Sequence, residues 1–147
     1  MSFRINTKYN GPGVYAIIDI RNFKAYIGSS CRILNRAKQH LNLLKTGKHN
    51  TELLQNDYNN KCNFVFVVLE KCNNISDRKL LFKEYCYMYS IMNEGFTLYN
   101  KIGGTKEQLT DMIVQNSIIE NCCYIPYFFK KRFRNYLGLK RSHKTTE

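Results

Sequence analysis

The 147-residue chain has the length of one domain, and its composition, 44% apolar and 23% charged, is globular rather than disordered. Its longest apolar run, residues 64–69, is far shorter than the ~20 residues of a membrane-spanning helix, which argues against an integral membrane protein. The net charge of +12 favours a polyanionic partner, because Lys and Arg near phosphates release counterions and add affinity without sequence specificity.

Two adjacent strands are predicted near the N-terminus. The turn sequence Gly11-Pro12-Gly13 precedes an apolar, β-rich run at residues 14–18, which indicates a buried strand. Residues 19–24 have the composition of a hairpin turn, and residues 25–28 are predicted as the returning strand. A β-hairpin is therefore expected at the start of the domain.

Two helices and a third strand follow. Apolar residues recur with a 3.6-residue period from about Arg32 to Lys45, which predicts a helix that Ser29 or Ser30 caps. A shorter helix is predicted from residue 50 or 51 to residue 58. The apolar run at residues 64–69 is rich in β-branched and aromatic side chains and predicts the third strand.

A long helix and a C-terminal segment complete the pattern. Ser76 is expected to cap a helix that ends near Met92, and residues 98–100 form a short extended piece. A capping-box sequence opens a helix over residues 105–120, and a final helix is predicted over residues 127–137.

The order of these elements, β-β-α-α-β-α, predicts the fold class. It indicates an α+β domain at residues 1–104, with a small antiparallel three-stranded sheet flanked by helices. Residues 105–147 are expected to form a helical, basic C-terminal extension.

Glu84 is the residue whose position indicates chemistry most directly. On a helical projection it lies within the arc of the apolar residues of its helix, which are Leu80, Leu81, Met88, Ile91 and Met92. An unpaired carboxylate in such a position is too costly, so Glu84 needs an Arg, a Lys or a metal ion beside it. The pattern alone favours a buried ion pair over a metal site.

Four other polar residues are candidates for the same site. Arg36 and His40 are one helical turn apart and flank an apolar stripe, so Arg36 can reach a cleft at the edge of the sheet. The pattern alone favours a solvated helix flank. Tyr15 and Tyr26 lie on the two arms of the hairpin, where tyrosines are by themselves ordinary packing.

Taken in order, these residues form a set that resembles the GIY-YIG endonuclease family. The set consists of Gly13-Val14-Tyr15, Tyr26-Ile27-Gly28-Ser29-Ser30, Arg36, His40, Glu84, and Leu98-Tyr99-Asn100 with glycines after it. The first triplet departs from the family by one conservative change, Val14 in place of Ile. The resemblance covers about residues 10–104, and its order and spacing are more specific than either tripeptide.

The resemblance implies a metal-dependent endonuclease that hydrolyses phosphodiester bonds. Glu84 would ligate one divalent ion, Mg²⁺ or Mn²⁺, which would stabilise the scissile phosphate and the leaving oxygen. Arg36 would hold and neutralise the phosphate. Tyr15 would act as general base toward the attacking water or hydrogen-bond it; the base role requires nearby positive charge, because an unperturbed phenol has a pKa near ~10.

The resemblance also implies supporting roles for five residues. Tyr26 would position water or phosphate, His40 would assist proton transfer, and Asn100 would orient the site. Gly28 would leave room for backbone or phosphate to approach. Ser29 beside it would contact nucleic acid.

The C-terminal extension lies outside the resemblance and is rich in basic residues interleaved with aromatic ones. Its candidate nucleic-acid contacts are Lys130, Lys131, Arg132, Arg134, Lys140 and Arg141. A packed helix with a solvated tail is an equally good interpretation of this segment.

The expected function is DNA cleavage by a free-standing or mobile-element (homing-type) nuclease. The alternatives are a structure-specific repair or restriction nuclease on the same scaffold, and a non-catalytic nucleic-acid-binding module. DNA is the expected partner, with no membrane and no small-molecule cofactor. We expect a monomer or transient dimer, because the chain offers one set of site residues. The N-terminus lacks an apolar signal-type stretch, so the expected location is intracellular: cytoplasmic, or wherever the target DNA lies.

Overall fold

The computed structural model describes residues 2–100 and the single residue Asp111. Its described elements are β1 (Phe3–Ile5), β2 (Gly13–Asp19), β3 (Lys24–Ser30), α1 (Ile33–Lys45), α2 (Glu52–Asn59), β4 (Phe64–Lys71), α3 (Asp77–Asn93) and β5 (Thr97–Leu98). The helices predicted over residues 105–120 and 127–137, the six basic residues between 130 and 141, and the proposed boundary at residue 104 lie outside the described residues.

In the described part of the chain the sheet contains five strands, in the order β1-β4-β2-β3-β5. The central strand β2 pairs antiparallel with β3 and β4, as predicted, whereas the outer strands β1 and β5 pair parallel with β4 and β3. The α+β class is confirmed, but the prediction of a three-stranded antiparallel sheet is wrong. The outer strands have only three and two residues, and such short segments become strands only by pairing with an existing edge.

Helices cover both faces of the sheet, and all seven residues of β2 are therefore buried. Successive side chains of a strand point to opposite faces. Val14, Ala16 and Ile18 accordingly pack in the core beneath α3. Tyr15 and Ile17 pack in the second core, which α1 and α2 supply.

The helix starts show one correct and one wrong cap prediction. The Ser76 side chain accepts a hydrogen bond from the Lys79 backbone N–H and caps α3, as expected. The cap position of α1 is Arg32, whose own side chain makes no capping hydrogen bond; in the first turn the Asn35 backbone N–H instead donates to Asn10 Oδ1 at 3.0 Å. The prediction of Ser29 or Ser30 at this position is wrong because β3 continues through Ser30 before the chain turns.

None of the helices in the described part of the chain combines the length and the apolar character that crossing a bilayer requires.

Candidate active site

The side chain of Tyr15, on β2, lies over Gly28 of the neighbouring strand β3. The two residues are cross-strand partners in the β2–β3 hairpin, and the Tyr15 side chain is buried. A Cβ atom on Gly28 would lie 2.4 Å from both Cζ and Oη of the tyrosine. On the side where a Cβ atom would lie, the space beside Gly28 is filled by the ring of Tyr15.

The position of Tyr15 is set by packing on its other sides. Its ring stacks on Phe66 at a centroid distance of 4.7 Å. The register between β2 and β4 shifts between Val14 and Tyr15, which places a β-bulge beside the tyrosine. Bulges re-aim side chains and are frequent next to active sites.

The hydroxyl of Tyr15 meets a buried histidine from α1. Tyr15 Oη lies 2.6 Å from His40 Nε2. The Tyr26 ring lies 5.2 Å from the His40 ring and 6.4 Å from the Tyr15 ring, measured between centroids. The hairpin and α1 thus bring three of the predicted site residues into one cluster.

His49 is a further member of this cluster that the sequence analysis missed. It lies on the loop between α1 and α2, its side chain is buried, and its Nε2 is 2.8 Å from His40 Nδ1. The backbone N–H of Thr51 donates to His49 Nδ1 at 3.0 Å. The sequence offered one signal for His49: the chain has only three histidines, and His49 follows the candidate residue His40 by nine residues.

Burial determines the protonation states of this cluster. It lowers the pKa of His40 to about 3, with His49 and Arg36 adding to the effect, and it lowers the pKa of His49. Both imidazoles are therefore neutral at pH 7. Burial also raises the pKa of Tyr15 and of Tyr26, so both are phenols in the protein without a bound cation.

Glu84 lies on α3 and reaches β3, where Ser29 Oγ donates to its Oε2 at 3.0 Å. Burial raises the pKa of Glu84 to about 7, although the Ser29 hydrogen bond and the Arg36 charge oppose the rise. Within residues 2–100 no Lys or Arg forms an ion pair with it. The buried ion pair that the sequence pattern favoured is thus not found in the described part of the chain.

The apolar arc around Glu84 differs in one detail from the helical projection. Leu81 is exposed, whereas Phe82 and Cys86 are buried. The buried face of α3 therefore extends to the other side of the helix, and Glu84 is only partly buried.

Arg36 is an exposed residue of α1 whose charge acts on the whole cluster. Its positive charge partly offsets the rise that burial causes in the pKa values of Tyr15, Tyr26 and Glu84. The guanidinium therefore lies within electrostatic range of all three side chains, at the solvent side of the site.

Asn100 supports the strand that carries the site. Strand β5 pairs with β3 only at residues 24–25. Beyond that point the Asn100 side chain takes over: its Oδ1 accepts from Ile27 N at 2.9 Å, and its Nδ2 donates to Ile27 O at 2.7 Å. Ile27 lies between Tyr26 and Gly28, so Asn100 holds the backbone next to both.

The chemistry of Glu84 fits a divalent cation. A partly buried carboxylate whose pKa is raised gains free energy from an adjacent positive charge. Mg²⁺ is typically bound by one or two carboxylates and keeps several waters. Ser29 is bonded to Oε2 of Glu84, so the other carboxylate oxygen, Oε1, remains available as a metal ligand.

A second group of possible metal ligands lies away from Glu84, and its hydrogen bonds indicate a structural role. Asp19, Asp57 and Cys62 lie close enough together to hold an ion. Asp57 already accepts from Lys24 at 3.1 Å and from the Tyr99 hydroxyl at 2.6 Å. Asp19 lies four residues along β2 from Tyr15, about 13 Å away. This group ties the hairpin turn to α2.

The chain is similar to one known family over more than half of its length. The family model described as the GIY-YIG catalytic domain matches residues 11–89. No curated protein and no solved structure gives a significant match. The matched range includes Tyr15, Tyr26, Arg36, His40 and Glu84.

Proposed function

The chain belongs to the GIY-YIG family, which implies a nuclease-type function, and from this premise we propose that it is a metal-dependent endonuclease that hydrolyses phosphodiester bonds in DNA. The observation that carries the proposal is that the charges of Glu84 and Arg36 both act on the buried hydroxyl of Tyr15. A carboxylate without an ion pair in the described part of the chain, an arginine and a buried tyrosine lie within electrostatic range of one another. A carboxylate that can hold a metal ion and an arginine that can bind phosphate suit metal-assisted phosphodiester hydrolysis.

In the proposed site Glu84 holds the divalent ion, with Ser29 fixing the orientation of the carboxylate. When bound, Mg²⁺ or Mn²⁺ supplies charge stabilisation at the scissile phosphate. Glu84 must be ionised to serve as ligand, and its pKa of about 7 means that proton and metal compete for it near neutral pH. Metal binding is therefore expected to weaken below pH 7.

Arg36 and the two tyrosines face the phosphate in this proposal. The exposed guanidinium of Arg36 binds and neutralises the phosphate oxygens, because its planar fork matches their geometry. Tyr15 hydrogen-bonds the attacking water, and it acts as a base only when added positive charge offsets the burial that raises its pKa. Tyr26 positions water or phosphate beside it.

The finer role that we propose is that of a homing-type, mobile-element nuclease. The family match over more than half of the chain and the excess of basic residues support a DNA-cutting enzyme. Repair and restriction nucleases on the same scaffold differ from it in substrate. A substrate panel therefore distinguishes these roles.

The proposal predicts metal-dependent nicking of supercoiled plasmid. With Mg²⁺, open circles should accumulate before linear product, because one active site meets strands of opposite polarity and must act twice or pair with a second copy. Plasmid, nicked, branched and RNA duplexes are incubated with Mg²⁺ or EDTA and resolved on gels. Undiminished cleavage in EDTA would contradict the proposal, and direct linearisation would contradict the monomer.

The basic residues after position 130 are proposed to add affinity without chemistry. Deleting residues 140–147 removes Lys140, Arg141 and Lys144 and should weaken binding to all DNA sequences alike. The plot of log affinity against log salt should lose about one unit of slope for each phosphate contact removed. Filter binding across a salt series measures this slope. An unchanged slope would show that the segment does not contact DNA.

A further inference from the structure

A continuous line of hydrogen bonds connects Tyr15 to the start of α2. It runs from Tyr15 Oη to His40 Nε2 at 2.6 Å, from His40 Nδ1 to His49 Nε2 at 2.8 Å, and from His49 Nδ1 to the Thr51 backbone N–H at 3.0 Å. Tyr15, His40 and His49 are buried side chains. Only the last member of the line, a backbone N–H, has a fixed role, since it can donate but not accept.

That fixed donor determines the direction of every other bond in the line. Because Thr51 N–H donates to His49 Nδ1, this nitrogen carries no proton, and the neutral His49 ring is protonated on Nε2. His49 Nε2–H then donates to His40 Nδ1. Neutral His40 is consequently protonated on Nε2 and donates to the oxygen of Tyr15.

The opposite direction is excluded by the same geometry. If Tyr15 donated to His40, then His40 would donate to His49, and the proton of His49 would lie on Nδ1, facing the Thr51 N–H. Two donors would then meet at 3.0 Å in a buried place. A doubly protonated ring at either histidine meets a donor in the same way, so both rings remain neutral.

The backbone of His49 is fixed independently. Its N–H donates to Gln55 Oε1 at 3.1 Å. The amide orientation of Gln55 is determined, because its Nε2 donates to the Leu44 carbonyl oxygen at 3.0 Å and to Asn59 Oδ1 at 2.9 Å. His49 therefore cannot turn without breaking contacts with both α1 and α2.

We propose that His49 is a positioning residue that fixes the tautomer of His40, so that His40 donates to Tyr15 and the hydroxyl hydrogen of Tyr15 is left to point away from His40. This inference rests on the nuclease function proposed above for its catalytic meaning. In this arrangement His40 acts as a hydrogen-bond donor to Tyr15, whereas the family resemblance implied that it assists proton transfer. The His40 N–H instead stabilises negative charge on the Tyr15 oxygen.

The tautomer can be observed without any cleavage assay. Long-range ¹H–¹⁵N correlation spectra of histidine rings distinguish protonated from unprotonated ring nitrogens. In the wild-type protein at pH 7, His40 and His49 should both be neutral and protonated on Nε2. A ring protonated on Nδ1 at either buried position, or a charged ring, overturns the inference.

Two variants separate positioning from packing. Gln in place of His49 can still donate an amide N–H toward His40, whereas Leu cannot. His49→Leu should lower kcat by about 10- to 100-fold, as for partners that orient a functional histidine, with little change in the KM for DNA. His49→Gln should retain most of the kcat and the Nε2–H tautomer of His40.

Thermal melts of both variants monitor folding. Equal loss of kcat in the Leu and Gln variants, with both folded, would overturn the positioning role. If the wild-type protein cleaves no nucleic acid, the proposed function fails. The ring tautomers still decide whether His49 fixes His40, so the two failures are distinguishable.

Discussion

Glu84→Gln should abolish DNA cleavage while making the folded chain more stable at pH 8. The amide cannot replace a carboxylate as ligand of a divalent ion, and loss of that charge stabilisation is worth several kcal/mol, about 10³-fold or more in rate. The side chain keeps its shape and can still accept from Ser29 Oγ. Cleavage of plasmid in Mg²⁺ measures the first effect.

The gain in stability follows from the direction of the Glu84 pKa. Burial raises it from 4.5 to about 7, so the folded state binds this proton more tightly than the unfolded state. Below about pH 4.5 the protonated Glu84 therefore adds up to about 3 kcal/mol to the free energy of unfolding. This contribution is lost as the pH rises toward 7. Glutamine carries no charge and avoids this loss.

The measurement is urea unfolding in EDTA at pH 8 and pH 4. The Gln variant should unfold at a higher urea concentration than the wild type at pH 8, and the difference should vanish at pH 4. Glu52→Gln, at an exposed position of α2, is the matched control and should change neither cleavage nor this difference. Full cleavage by Glu84→Gln would contradict the assigned role of Glu84.

Gly28→Ala should cause the second large loss of activity, through Tyr15. The added methyl group would lie 2.4 Å from Cζ and Oη of a ring that Phe66 and His40 already confine. The ring must move, and a displacement of about 1 Å can cost roughly 10²-fold in rate. Overpacking of this kind also costs about 1–3 kcal/mol of stability.

The kcat, the free energy of unfolding and the Tyr15–His40 contact are compared between Gly28→Ala and the wild-type protein. Gly95→Ala is a suitable control, because Gly95 has a φ of +93° and nothing within 4 Å of an added Cβ. It should lower stability through backbone strain without lowering kcat. A Gly28→Ala protein with wild-type kcat would show that the ring position does not control the reaction.

The sequence alone determined the local elements and the family. The hairpin, α1, β4 and α3 occur where the periodicities place them, because each pattern reports which side chains are buried within one segment. The spacing of Tyr15, Tyr26, Arg36, His40 and Glu84 identified the family that the comparison then showed. The elements depend on neighbours in the chain, and the family depends on the order and spacing of residues along it; a sequence displays both directly.

Only the tertiary structure decided the outer strands and the contacts of the site. The edge of β3 is completed by Asn100, 73 residues away, and Ser29 donates to Glu84, 55 residues away, instead of capping α1. Gly28 accommodates the Tyr15 ring because the hairpin register places them opposite each other. His49 enters the site because the chain after α1 returns to it, and Thr51 N–H then sets the direction of the hydrogen bonds. Such contacts depend on the packing of separate segments, which no local pattern encodes.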